Sequence, residues 1–237
     1  MKGTRVCILG GTGFVGRHLS TRLSAAGIAC TIPSRHPQRH RDMLTTPGVK
    51  LVALNPYDPQ QLQEALSGCR AAVNLVGILS ESAHASFQRV HVELPNLLLR
   101  ACKESGVPRL LHMSALNANE ANGPSRYLKT KGLAENRTLT LGKPQVRVTS
   151  FRPSVIFGEE DSFFNRFAAL LRLPGPFPLA CPEARFAPVF VGDVARAFVA
   201  ALDDPATWGR HYELCGPRAF TLRQLLEYTA ACGGRRK

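Results

Sequence analysis

Val6-Cys7-Ile8-Leu9-Gly10-Gly11-Thr12-Gly13-Phe14-Val15-Gly16 is the stretch whose reading decides the fold. Four apolar residues run into glycines at 10, 13 and 16, and Phe14, Val15, Leu19, Leu23 and Ala26 then recur at helical spacing. The pattern predicts a buried strand, a tight turn and an amphipathic helix. Gly10 is expected to make the turn, Gly13 to admit a bulky anion to the backbone, and Gly16 to let helix pack on strand. The helix start, at Thr12, Phe14 and Val15, then offers unpaired N–H groups and a partial positive charge to a phosphate. A second apolar strand at 28–33 follows on the schedule that a dinucleotide-binding turn requires. The competing reading is a strand–helix turn that binds nothing.

Working outward, the second strand ends in Ser34-Arg35-His36-Pro37-Gln38-Arg39-His40-Arg41. At this position an acidic residue binds the ribose 2′-hydroxyl of NAD, whereas arginine accommodates the 2′-phosphate of NADP. No carboxylate precedes Asp42. The expectation is therefore NADP(H), with NAD as the alternative. Arg35 is the first contact, beside Ser34, and Arg39 the second, because a planar guanidinium holds phosphate through parallel hydrogen bonds. A solvated basic loop is the bland alternative. A third strand at 49–54 leads to Asn55, where adenine would lie. Asp58-Pro59-Gln60-Gln61 is a helix start, so Asp58 is expected to be a cap. A fourth strand at 71–76 ends at Val76 and Gly77, where the backbone can pass close to a ligand. A long helix over 82–105 should be kinked or split by Pro95. A fifth strand at 109–114 ends in Ser114.

Tyr127 and Lys131 are four apart in the predicted helix that follows, so they share a face. A free tyrosine has a pKa of ~10 and is a poor base at neutral pH. A neighbouring lysine cation should favour the phenolate and lower that value, making Tyr127 a candidate to exchange a proton with a carbonyl or alcohol. An exposed tyrosine and a solvated lysine are the alternative. A sixth strand at 146–151 leads to Pro153. Asp161 and Ser162 open an apolar helix carrying Phe163, Phe164 and Phe167. The proline-rich stretch 173–188 reads as irregular and could roof a cleft. A short strand at 189–191, a helix at 194–202, a strand at 212–214 and a helix capped by Thr221 complete the chain. Strands alternating with helices predict an α/β fold, a doubly wound parallel Rossmann sheet with ligands at the carboxyl ends of its strands. Residues 1–155 form the dinucleotide-binding core and 186–215 return to it. Residues 156–185 and 216–237 make a small substrate lobe, expected to be incomplete.

Composition narrows the partners. The chain has 237 residues, 44% hydrophobic, enough for a substantial core. No run approaches the ~18 apolar residues of a membrane helix, and with the strand and glycine turn at the N-terminus a cleavable leader is not expected. The seven cysteines are scattered and odd in number, which predicts reduced, mostly buried thiols in the cytoplasm; no metal site is expected. The 30 Lys and Arg against 17 Asp and Glu, a net charge of +13, favour an anionic partner. Nucleic acid is disfavoured, since basic residues are dispersed and only four Tyr and one Trp are present. Peripheral contact with an anionic membrane face stays open.

Together these motifs resemble the short-chain dehydrogenase/reductase superfamily, in its extended and atypical branch. The resemblance is carried by Gly10-Gly11-Thr12-Gly13-Phe14-Val15-Gly16, Asn74-Leu75-Val76-Gly77, Ser114, Tyr127 with Lys131, Arg152-Pro153-Ser154-Val155-Ile156-Phe157-Gly158 and Pro188-Val189-Phe190-Val191-Gly192-Asp193-Val194-Ala195. Within the branch, Val73-Asn74-Leu75-Val76-Gly77-Ile78-Leu79 and His112-Met113-Ser114-Ala115-Leu116 look most like the group containing the NAD(P)H-binding accessory subunit of respiratory complex I and its bacterial relatives. The resemblance implies that Tyr127 is the acid/base, that Lys131 holds the nicotinamide ribose and tunes Tyr127, and that Ser114 orients the substrate oxygen. It also implies Pro153 beside the cofactor. Two functions follow from it: an oxidoreductase or epimerase acting on a carbonyl or alcohol of unknown identity, or a nucleotide-loaded accessory protein of a respiratory or quinone-related complex, peripheral to the inner membrane.

Overall fold

The computed structural model describes residues 5–172 and 178–233. Its centre is a seven-stranded sheet in the order β3-β2-β1-β4-β5-β6-β10. The strands are β1 (Arg5–Leu9), β2 (Ala29–Ser34), β3 (Val49–Ala53), β4 (Cys69–Asn74), β5 (Arg109–Met113), β6 (Arg147–Pro153) and β10 (Arg210–Leu214), all parallel. Parallel strands covered on both faces read as continuous apolar runs, and β1 shows why. Val6 and Ile8 enter one core with Leu19 and Leu23 of α1 (Phe14–Ala25) and Phe198 of α6 (Val191–Ala201). Cys7 and Leu9 enter the other, with Leu62 and Leu66 of α2 (Pro59–Leu66) and Leu94 and Leu98 of α3 (Leu94–Glu104). The strand order reverses between β1 and β4, so a crevice opens at their carboxyl ends.

Local chemistry sets the boundaries. The Asp58 carboxylate accepts from the Gln60 and Gln61 amides, the cap read from sequence. Gly10 has φ of +79°, and a Cβ there would meet the backbone at Leu75 and Val76 at 3.1 Å. The helix expected over 82–105 is corrected. Residues 82–86 form a loop closed by a Ser82–Ala85 bridge, the helix opens at Phe87 with a π-turn over Gln88–Glu93, and α3 continues from Leu94. Glu93 and Leu94 both keep helical backbone angles, so the π-turn passes directly into α3, and the change of helix form at Leu94-Pro95 is the interruption expected at that proline.

The strand β6 leads into β7 (Ile156–Phe157), which pairs with β9 (Val189–Phe190). Away from the sheet, α5 (Phe164–Leu171) packs on α7 (Leu222–Cys232), and β8 (Arg185–Phe186) pairs antiparallel with β11 (Phe220–Thr221). Leu171, Leu222, Leu226 and Ala230 form a third, small cluster with Phe163, Phe167 and Phe186. Thr221 and Gln224 cap α7 reciprocally. α6 begins at Val191, three residues before its expected start. Of the proline-rich stretch read as a roof, residues 173–177 lie outside the described residues. Helix α4 (Arg126–Gly142) is set against β6 and carries Tyr127 and Lys131. No helix among the described residues is long and apolar enough to cross a membrane.

Candidate functional site

The glycine turn delivers α1 with its positive end open. The N-cap is Gly13, no side chain caps the helix, and no acidic residue lies in its first turn. The first-turn amides therefore have no intrahelical partner. A Cβ on Gly16 would lie 2.5 Å from the Gly10 carbonyl oxygen, so helix and turn pack at backbone contact. This cradle fits a diphosphate.

At the β2 exit, the Ser34 hydroxyl accepts from the His36 amide at 3.2 Å. Arg35 and Arg39 are exposed, and neither has a carboxylate within ion-pair range among the described residues. Asp42, the first carboxylate of this segment, is held by Arg17, whose Nε also donates to the Thr12 carbonyl at 3.3 Å. Arg17 was not singled out in the sequence, since only its place beside the glycine turn distinguishes it. Burial pushes the Tyr57 phenol up while the Arg89 and Arg35 cations pull it down, and the Arg89 guanidinium lies 4.4 Å over the Tyr57 ring. The Asn55 side chain accepts from the Tyr57 amide at 3.1 Å, so it shapes its own turn.

The other half of the site is a cleft of about 510 Å³. It brings together Phe14, Gly77, Ser114, Tyr127, Lys131 and Pro153, from five different segments. The Ser114 hydroxyl is buried and has no hydrogen-bond partner among the described residues. Lys131 is buried, and its ammonium donates to the Met113 carbonyl at 3.0 Å. A Cβ on Gly77 would approach that ammonium to 3.1 Å. Burial pushes Lys131 down to about 8. The expected lowering of Tyr127 is corrected: burial raises its phenol. Desolvation penalises the phenolate, and the lysine that was to offset this is hydrogen-bonded to β5 instead.

His91, from the π-turn, was missed because the surrounding sequence reads as ordinary helix. Its Nε2 accepts from the Ile78 amide at 3.1 Å, so its Nδ1 carries the proton and faces the Thr130 hydroxyl at 3.0 Å. Its ring meets Tyr127 edge to face at 5.3 Å and stacks on Phe87 at 5.2 Å. Burial and the Lys131 charge push His91 down to about 4, keeping it a neutral acceptor. Beneath the cleft, Glu135 of α4 is 1% exposed; it accepts from Arg152 Nε at 2.9 Å and from the Ser150 hydroxyl at 2.7 Å. This pair locks the rotation of α4 on β6 and so sets which way Tyr127 and Lys131 face.

The sequence profile of the NAD dependent epimerase/dehydratase family matches residues 6–215. The chain is 32% identical over 234 residues, 96% of its length, to the mitochondrial NADH dehydrogenase (ubiquinone) 1 alpha subcomplex subunit 9 of Arabidopsis thaliana. It is 29% identical over 238 residues to the subunit of the same name from Mus musculus. It spans 57% and 61% of the lengths of these two relatives. Among solved structures, the UDP-glucose 4-epimerase of Thermus thermophilus in complex with NAD superposes with a TM-score of 0.80 at 21% identity, covering 98% of this chain and 84% of that one.

Proposed function

Because this chain belongs to the NAD dependent epimerase/dehydratase family, we propose that it binds NADP(H) across the β1–β4 crevice and exchanges a proton with a carbonyl or alcohol substrate through Tyr127. The observation that carries this reading is the unpartnered, buried Ser114 hydroxyl in the same cleft as Tyr127 and Lys131. A buried hydroxyl left unsatisfied is costly, and a substrate oxygen would satisfy it. The glycine cradle would hold the diphosphate, and the unpaired Arg35, with Arg39, the 2′-phosphate. Ser34, Asn55, Val76 and Gly77 would border the adenosine and ribose. Bound there, the dinucleotide would supply the hydride chemistry that protein side chains lack. In the reducing direction Tyr127 would give the proton that the substrate oxygen gains. Lys131 would hold the ribose hydroxyls against β5, and Ser114 would donate to the substrate oxygen.

The test is NADPH-dependent reduction of carbonyl compounds by the wild type and by Tyr127→Phe. The variant should lose turnover by about 10²–10⁴-fold and keep its NADPH affinity. Equal turnover in the two proteins would remove the acid/base role.

A second reading is favoured by the names of the relatives, which are subunits of a respiratory NADH dehydrogenase. In it the chain is a nucleotide-loaded accessory protein of a respiratory or quinone-related complex, peripheral to the membrane. The raised Tyr127 phenol is compatible with this reading too. Protein that retains NADPH, shows no turnover and co-purifies with such a complex would select it.

A further inference from the structure

We propose that the substrate end of the cleft takes an apolar carbonyl or carbinol compound, one oxygen on a hydrocarbon body, rather than a polyhydroxylated sugar nucleotide. The inference rests on the proton-exchange reading of Ser114 and Tyr127, and concerns what surrounds that oxygen.

Apolar side chains from several elements make up most of the walls. The β4 exit contributes Ile78 and Leu79, the β5 exit Leu116, the β6 exit Ile156, and the small lobe Phe163 and Phe186. The two phenylalanines brace each other, their ring centroids 5.8 Å apart. The polar lining groups divide into those at the rim and those already used. Asn117, Ser162 and Arg185 are exposed. The Ser154 hydroxyl accepts from the Ala187 amide at 3.3 Å, and Lys131 donates to Met113. That leaves the Ser114 hydroxyl, buried and without a hydrogen-bond partner among the described residues, in the same cleft as the Tyr127 phenol. Two hydroxyl groups lining one cleft of mainly apolar side chains provide for one substrate oxygen. Each further hydroxyl of a sugar ring would be desolvated against leucine, isoleucine or phenylalanine with nothing to bond. At the mouth, Leu79 stands 80% exposed, a side chain that gains burial only when an apolar body lies against it.

Calorimetry on the purified protein with saturating NADP⁺ tests this through 2-alkanones from four to ten carbons, with UDP-glucose as the competitor class. Oxidised cofactor and ketone cannot react, so binding is read apart from turnover. Affinity should rise about fourfold for each added methylene, the equivalent of ~0.8 kcal/mol, until the chamber is full, and 2-decanone should bind more tightly than UDP-glucose. Leu79→Asp should weaken 2-decanone at least tenfold and leave NADP⁺ affinity unchanged. A dissociation constant independent of chain length, or tighter binding of UDP-glucose, would overturn the proposal. The series is repeated without nucleotide. Failure to bind NADP⁺, or to reduce a ketone that binds, therefore counts against the catalytic reading, while the chain-length profile still decides the substrate class.

Discussion

Arg35 leaves β2 with no carboxylate to pair with among the described residues, whereas Asp42 is already held by Arg17. The contrast matters because both arginines border the ground between the glycine turn and the β2 exit, and only an unpaired one is free to take a phosphate. A charge-assisted hydrogen bond contributes about 1.5–3 kcal/mol, or roughly ten- to a hundredfold in affinity. Arg35→Asp should therefore raise the NADPH dissociation constant by at least about tenfold and change that of NADH much less. Fluorescence titration with both nucleotides checks it, and equal effects on the two would assign the 2′-phosphate elsewhere. The same scale shows what a motif leaves unsaid. Tyr127 and Lys131 lie in one cleft, as their spacing requires, yet burial raises the phenol and β5 holds the ammonium. Residue types and spacing set which groups meet; solvation decides the protonation state in which they meet.

For a whole element, the rotation of α4 is the decisive quantity, because a turn of the helix carries Tyr127 and Lys131 into or out of the cleft together. Glu135, Arg152 and Ser150 fix it from below. Removing one member of a buried ion pair leaves an uncompensated charge, at a cost of about 3–5 kcal/mol. Glu135→Ala should lower stability in urea unfolding by roughly that amount, and a loss under ~1 kcal/mol, the range of exposed pairs, would show that packing alone seats the helix. The segment before α3 illustrates the reverse case. Helical periodicity is present from 82 onward, but the chain there forms a bridged loop and a π-turn. The π-turn presents His91 to Ile78 and Thr130, contacts that lie on other elements and are invisible to local periodicity.

Across the whole molecule, the fold buries two histidines in neutral form beside the site. Burial pushes His91 down to about 4 and His112 down to about 3, against ~6.5 in the unfolded chain. A folded-state pKa below the unfolded one means that the unfolded chain binds the extra proton first. Stability is therefore complete above pH ~6.5 and falls with acid at up to ~1.4 kcal/mol per pH unit for each histidine. Urea midpoints should decline from pH 6.5 to 5, and His112→Asn should roughly halve the slope; a flat profile over that interval would mean that neither ring is protected. Arg109 acts over similar range. Buried at the start of β5, it donates to the Arg147 and Ala201 carbonyls and the Thr149 and Thr207 hydroxyls, joining the sheet to the end of α6. Its sequence position reads only as the first residue of a strand.

Sequence alone determined the parallel α/β class, the glycine turn, the Asp58 and Thr221 caps and the sharing of one helix face by Tyr127 and Lys131. Those features depend on side-chain period and turn chemistry, which act between residues a few positions apart. Only the tertiary structure decided that Ser114 is left without a partner beside Tyr127, that Lys131 bonds to β5, that His91 stands behind the phenol, and that the chamber around them is apolar. These facts rest on strand crossovers that bring distant segments to one edge of the sheet, and on the water excluded when they meet.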